Sequence, residues 1–387
     1  MSSDSRRSRI EPFHVMDVFA AAARRQETHA DVVSLAAGQP STSAPAPVLE
    51  AMRVALDTDV IGYSETLGTA RLRETIAAYL AAKSGAAIEA EDIVVTTGSS
   101  GAFTLLFLAA FDPGDTVVMA RPGYPAYRNT LSALGCRVVE LECTEDVRFQ
   151  PTVAMLEALD TPPAGLIVAS PANPTGTIID PVELEALAHW CDRHGTLLIS
   201  DEIYHGISYG DVECRSAREF SDRAVSIGSV SKYFSMTGWR LGWMVLPRSL
   251  TRAVQRLASN MTVCPPTVSQ LAAVAAFSDE SIAELDGHVR RYARNRDILL
   301  GGLREAGVTR LAPADGAFYA YADIEHLTGD SMQWCAQVLG ETGVAVVPGA
   351  DFDTENGHHT VRFSFAGSTE DMTEALDRLG PYLRGRS

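Results

Sequence analysis

Lysine is nearly missing from this chain: of 32 basic residues among 387, only Lys83 and Lys232 are lysines and the rest are arginines. Long apolar runs are missing as well. Although 46% of the residues are hydrophobic, no stretch approaches the roughly 18 consecutive apolar residues that a membrane span requires. Positive charge is outweighed, with a formal net charge of -17 at pH 7, which disfavours binding to a phosphate backbone and so nucleic acid as a partner. The cysteines (Cys136, Cys143, Cys191, Cys214, Cys264, Cys335) contain no C-x-x-C pair and share no metal-ligand spacing with the histidines, so neither a disulfide framework nor a metal site is expected. No apolar signal-peptide core follows the opening MSSDSRRSRIEPF, and the expected location is cytoplasmic.

What is present is an alternation. Five short apolar runs, DIVVT (92–96), DTVVMA (115–120), GLIVAS (165–170), GTLLIS (195–200) and AVSIGS (224–229), are separated by longer amphipathic stretches. That is the pattern of βαβ units, and it predicts an α/β fold with a mainly parallel sheet. Each run leads straight into polar or Gly/Pro-rich residues: TGSSG, RPGYPAY, PANPTG, DEIYHG and VSK. Open α/β sheets bind ligands at the carboxyl ends of their strands, so these segments are candidate site loops. Beyond residue 278 a long charged helical pattern leads to strand-like GAFYAYADI, VAVVPGADF and TVRFSFAG, with helical patterns at 330–342 and 369–384. The chain exceeds one ordinary hydrophobic core. The expected division is an N-terminal arm at 1–45 that belongs to a small domain, a large domain at 46–285, and a small α/β domain at 286–387.

Two segments carry chemistry in their own residues. TGSSGAFTLLFLAAF reads as a tight glycine turn feeding a helix. Free N–H groups, the hydroxyls of Ser99 and Ser100 and the positive end of the helix dipole would make a cup for an anion such as phosphate, although the same turn also serves as an ordinary helix cap. In SVSKYFSMTGWRLGW, residues 229–243, Lys232 stands among Ser, Tyr, Phe, Met and Trp, with Arg240 eight residues on. Desolvation or a nearby cation lowers a lysine's pKa and makes it a nucleophile toward carbonyl carbon. Lys83, at a predicted helix end, fits an ordinary solvated lysine.

The string S-V-S-K-Y-F-S-M-T-G-W-R-L-G-W resembles the cofactor-lysine signature of the class I/II aminotransferases, the fold type I enzymes that use pyridoxal 5'-phosphate (PLP). The match continues in order through SLAAGQP, GYSETLGTARLRETIAAYL, PGYP, SPANPTG, DEIY, GAFY and R-x-S-F, across residues 30–367. The resemblance implies a mainly parallel-sheet large PLP-binding domain with a smaller α/β domain, and it assigns roles. Lys232 would hold PLP through its amine and carry a proton in the reaction, while Asp201 would face the pyridine nitrogen and keep it protonated. Tyr204 and Asn173 would hydrogen-bond the cofactor's phenolic oxygen, and Tyr124 would stack on its ring. Gly98, Ser99, Ser100, Ser229 and Arg240 would enclose the phosphate. Tyr63 would join them from a second subunit, which implies a homodimer with shared sites. Arg362 would clamp the substrate α-carboxylate, beside Gly38 and Asn173. Taken singly, Asp201 could cap its strand and Tyr204 could be core; His205, next to DEIY, reads as structural.

An enzyme for aspartate or glutamate needs a cation for the distal carboxylate, because an unpaired buried carboxylate is costly. In similar bacterial aspartate aminotransferases that cation is a lysine two residues after the glycine of the cup, where this chain has Ser100. The segment PFHVMDVFAAA, which in such relatives lies over the site, adds apolar side chains, Asp17, and only His14 as a cation. The expectation is a neutral, fairly small donor such as alanine or valine, exchanged by a ping-pong mechanism with pyruvate or another 2-oxo acid. An aspartate/2-oxoglutarate aminotransferase and a fold type I C–S β-lyase remain open as alternatives.

Overall fold

In the computed structural model of the protein, which describes residues 4–385, the apolar runs become strands of one large sheet. Strand β1 is Val33–Ser34. Strands β2 to β8 are Ile93–Thr96, Thr116–Arg121, Arg137–Glu142, Gly165–Ala169, Leu197–Asp201, Val225–Ser229 and Gly242–Val245; β9 to β12 are Tyr319–Asp323, Val344–Ala345, Val347–Pro348 and Thr360–Ser364. The large sheet has seven strands in the order β2-β8-β7-β6-β5-β3-β4. Strands β7, β6, β5, β3 and β4 pair parallel, while β8 runs antiparallel to both β2 and β7. β4 and β8 are additions to the five expected runs. β4 is an edge strand that alternates charge through Arg137, Glu140 and Glu142, so its apolar signal is diluted, as edges require.

Side chains alternate across the sheet and each set meets its own helices. Val94, Val117, Ile167, Ile199, Ile227 and Met244 pack with Phe103, Leu106 and Phe107 of the helix Gly98–Ala110. Val118, Leu166, Val168 and Leu198 pack instead with Leu184, Leu187 and Trp190 of the helix Pro181–His194. A sheet covered on both faces explains why its strands read as unbroken apolar runs.

Two smaller pairings complete the framework. β11, β12 and β9 form an antiparallel three-stranded sheet, and β1 pairs parallel with β10, Val33 opposite Val344. The helical patterns expected at 330–342 and 369–384 are the helices Ser331–Thr342 and Thr369–Arg384. The boundary expected at 285/286 falls inside one continuous 27-residue helix, Asp279–Glu305. Near its start Asp286 accepts a bond from the Tyr233 hydroxyl (2.7 Å), and farther on Asn295 donates to the Phe365 carbonyl (3.1 Å), so one rod binds to both parts of the chain. Among the described residues no helix is long and apolar enough to cross a membrane.

Candidate active site

The carboxyl ends of the central strands open into a cavity of about 320 Å³. Asp201 ends β6, Ala169 ends β5, and Ser231 and Lys232 follow β7; Ser99 and Ser100 enter from the helix after β2, Tyr124 and Tyr127 from the segment after β3. Tyr319 and Arg362 come from the three-stranded sheet, and Phe13, Val15, Met16 and Phe19 from the N-terminal helix His14–His29 and the residue before it.

The Lys232 loop is cross-braced. Ser231 N–H donates to Ser229 Oγ (3.0 Å), the Thr237 hydroxyl to Ser231 O (2.6 Å), and Met236 N–H to Val230 O (3.1 Å). Its ε-amine donates to the carbonyl of Gly38 at 2.7 Å, a neutral acceptor in place of a carboxylate. Burial first, then the like charges of Arg362 and Arg240, bring the amine down to about 8, with Asp201 pulling the other way. A lysine set so low holds a useful fraction of free base near neutral pH.

Asp201 is 5% exposed. Tyr127 donates a very short hydrogen bond to its Oδ2, and Ile203 N–H donates to Oδ1 at 3.1 Å. Burial raises its carboxyl to about 6 against the pull of those two bonds. A carboxylate this deep without a bonded cation is stabilised by any protonated nitrogen placed against it. The hydroxyls of Tyr204 and Tyr319 lie 2.7 Å apart, and burial holds the Tyr204 phenol well above its ordinary range.

Arg362 is 3% exposed. It donates through Nη1 to Asn173 Oδ1 (2.9 Å) and through Nη2 to Ala36 O (3.0 Å), while its Nε is buried without a partner among the described residues. Its guanidinium lies 4.3 Å from the Tyr319 ring centre and 4.8 Å from that of Phe352. Buried charges are normally paired. A guanidinium held by two neutral oxygens with a spare donor has the geometry to bind a carboxylate.

At the cup, Gly98 has φ +70°, a backbone conformation that favours glycine, and a Cβ built on it would stand 2.5 Å from Nη2 at the tip of the Arg240 side chain. Arg240 thus lies against the first turn of a helix whose N-cap residue makes no side-chain cap bond, beside Ser99 and Ser100. Anion cup, carboxylate, low-pKa amine and aromatic Tyr124 line one cavity, and this donor set fits PLP.

Among the candidates read from sequence, Gly38, Ser99, Ser100, Tyr124, Asn173, Asp201, Tyr204, Lys232, Arg240 and Arg362 line this cavity, and Gly98 packs beneath Arg240. Ser229 does not line it: it is 3% exposed, with its hydroxyl 2.9 Å from Leu241 O and 2.8 Å from the Ser231 hydroxyl, and Ser231 is the serine at the wall. Tyr63 lies outside the cavity and is 86% exposed. His14 turns its ring to Asp17 at 3.4 Å, and His205 faces Glu202 at 3.7 Å. Sequence reading missed Tyr127 and Tyr319, although Tyr127 sits three residues after Tyr124 in the same PGYPAY segment.

The family model for aminotransferase class I and II matches residues 30–379. A valine–pyruvate aminotransferase of Mycobacterium tuberculosis is 54% identical over 378 residues, 97% of each chain. An aspartate/prephenate aminotransferase of Thermus thermophilus is 34% identical, again over 97% of both chains. Among solved structures, an aminotransferase from Mycobacterium tuberculosis superposes with a TM-score of 0.98 at 53% identity, covering 100% of both chains.

Proposed function

This chain belongs to the class I and II aminotransferases and is a PLP-dependent transaminase, and from that premise we propose that it exchanges the amino group of a neutral L-amino acid, valine or alanine, with pyruvate or a related 2-oxo acid. The carrying observation is the cavity wall: its lysine and arginine residues are Lys232, Arg240 and Arg362, while Phe13, Val15, Met16, Phe19 and Phe103 stand where a distal carboxylate would need a further cation. The name of the similar valine–pyruvate aminotransferase supports the same choice.

When bound, PLP supplies a conjugated ring that takes up the electron pair left when the substrate Cα loses its proton. In this reading Lys232 Nζ would hold the cofactor and move the proton, Asp201 would hold the positive ring nitrogen, Tyr204 and Asn173 would bond the ring oxygen, and Tyr124 would stack on the ring. Gly98, Ser99, Ser100, Ser231 and Arg240 would enclose the phosphate, with Ser229 bonded behind Ser231. Arg362, with Gly38 and Asn173, fixes the substrate carboxylate and so aims the Cα–H bond.

We propose a homodimer as well. Val60 (93% exposed), Tyr63 (86%), Met261 (53%) and Val263 (46%) are exposed apolar side chains on two segments that the Thr267 hydroxyl brings together on Gly62 O at 2.6 Å, and in a dimer Tyr63 would reach a partner's phosphate. The free cysteines suit a reducing cytoplasm, where we place the protein. The division into 1–45, 46–285 and 286–387 is retained, with the helix Asp279–Glu305 shared between the parts.

The test is a comparison of purified holoenzyme on valine with pyruvate and on aspartate with 2-oxoglutarate. A kcat/KM for valine at least about tenfold above that for aspartate is expected. The reverse ranking sinks the neutral-donor reading, and release of pyruvate and ammonia from cystathionine without an acceptor would favour a lyase.

A further inference from the structure

The N-terminal helix His14–His29 begins at Phe13, which offers no side-chain cap. Its first two N–H groups are taken from the far end of the chain instead. His14 N–H donates to Oδ1 of Asp351 at 2.8 Å and Val15 N–H to Oδ2 at 2.7 Å, across 337 and 336 residues of sequence. Both carboxylate oxygens are committed; burial raises this carboxyl above its ordinary range, while the two N–H bonds pull it back down. Asp351 is 2% exposed and lies in the short helical turn Gly349–Asp351 that follows β11. The turn is itself fixed: Arg128 donates to the Asp351 carbonyl at 3.3 Å and to Glu140 of β4 at 2.8 Å. The next residue, Phe352, faces the Arg362 guanidinium.

The helix start held in this way supplies the apolar wall of the cavity, Phe13, Val15, Met16 and Phe19. Phe13 also meets Tyr124 edge-on, with ring centres 6.0 Å apart at 80°. Apolar contacts carry no direction of their own, so the wall stands where its backbone is pinned.

We infer that Asp351 is a positioning residue for donor selectivity: its carboxylate pins the N-terminal helix so that the apolar wall closes on a branched aliphatic side chain. This rests on the neutral-donor reading above. Asp351 touches no reacting atom in it. Losing the pin loosens the wall where a branched donor needs it, whereas the bonds of Arg362 to Asn173 and Ala36 and of Lys232 to Gly38 do not involve Asp351.

The experiment compares wild type and Asp351→Asn as PLP-loaded enzymes, reading kcat and KM for valine and for alanine, and hydrogen exchange of peptides covering residues 10–20 and 225–245. Asparagine keeps the shape but turns an N–H donor toward one of the two helix N–H groups. Expected are faster exchange in 10–20 only, and a valine-to-alanine ratio of kcat/KM lowered about tenfold through the KM for valine, with kcat for alanine within about twofold. Unchanged exchange at 10–20, or an equal loss for both donors with the cofactor absorbance intact, overturns the inference. Should Asp351→Asn fold poorly, Phe13→Ala supplies the second arm. It removes part of the wall and leaves the pin, so it is expected to lower the valine preference without loosening the rest of 10–20; an unaltered preference counts against the wall's role. If wild type accepts neither valine nor alanine, the donor reading fails, while the exchange measurement still decides whether Asp351 pins the helix.

Discussion

Asp201 and Arg362 reach the cavity from the last residue and the middle of buried strands, and Lys232 from a loop tied to itself by bonds of 3.1 Å or less. Phe13, Val15, Met16 and Phe19 reach the same cavity from the start of one surface helix, where Met16 is 56% exposed and the first two N–H groups depend on one carboxylate. The floor carries ionisable groups whose positions are over-determined; the wall carries shape whose position hangs on few contacts. On the proposed roles, chemistry sits where small shifts are suppressed, and selectivity sits where a few substitutions can alter it.

Substitution of the floor has the largest expected effect. Lys232→Ala is expected to abolish borohydride-stable attachment of PLP and to lower turnover by roughly 10⁴-fold. Because Lys83 is the sole other lysine, peptide mapping gives an unambiguous site. Label on Lys83 in wild type would undo the assignment of the floor.

The low pKa of Lys232 provides the second test. Its folded value, about 8 against an ordinary 10.5, means that cofactor-free protein should capture PLP with a half-maximal rate near pH 8, and that its amine is about 300-fold richer in free base at pH 7 than an ordinary lysine. The unfolded chain binds more protons than the folded one between these values. Stability of the cofactor-free protein therefore gains from this group as pH rises from about 8 to 10.5, and the gain is absent in Lys232→Ala. Identical melting profiles for the two proteins across that window would contradict the shift.

Arg362→Lys keeps the charge but loses the fork that bonds Asn173 and Ala36 together. A loss of about 100-fold in kcat/KM, roughly 2.8 kcal/mol, is expected for every donor alike in steady-state assays. The smallest effect is expected beside the wall, where Ser100→Lys adds the cation that a distal carboxylate needs: it is expected to raise kcat/KM for aspartate about tenfold and to lower it for valine; a uniform fall for both would show that the added cation disturbs the cup and does not serve the donor.

The same contrast explains what could be read in advance. Lys232 stood out as one of two lysines, set among apolar and aromatic residues, whereas Asp201 and Arg362 were legible through the DEIY and R-x-S-F motifs of the family resemblance. No such signature marks Phe13 or Val15, since one buried aliphatic side chain serves as well as another. Asp351, with 336 residues separating it from Val15, had no local signal at all. Tyr127 was hidden by its neighbour Tyr124, and Ser231 by Ser229, because spacing cannot say which of two similar side chains turns inward. β8 was missed for a topological reason: it returns antiparallel after a loop, outside the βαβ rhythm that revealed its neighbours. The boundary at 285/286 followed a change of composition, whereas the backbone continues there as one helix.

That antiparallel return has a consequence of its own. Ser229 pairs with Gly242, so residues 230–241, Lys232 among them, form a closed ring whose two ends are stitched side by side in the middle of the sheet. Gly242 also lies so close to the cup that a Cβ there would stand 2.7 Å from the backbone of Gly98 and Ser99. A ring clasped in this way has no free end from which to fray, and its closure entropy is spent when the sheet assembles rather than when a substrate arrives. The Lys232 loop is then released only when the pairing of β7 with β8 itself comes apart, so its persistence follows that of the sheet.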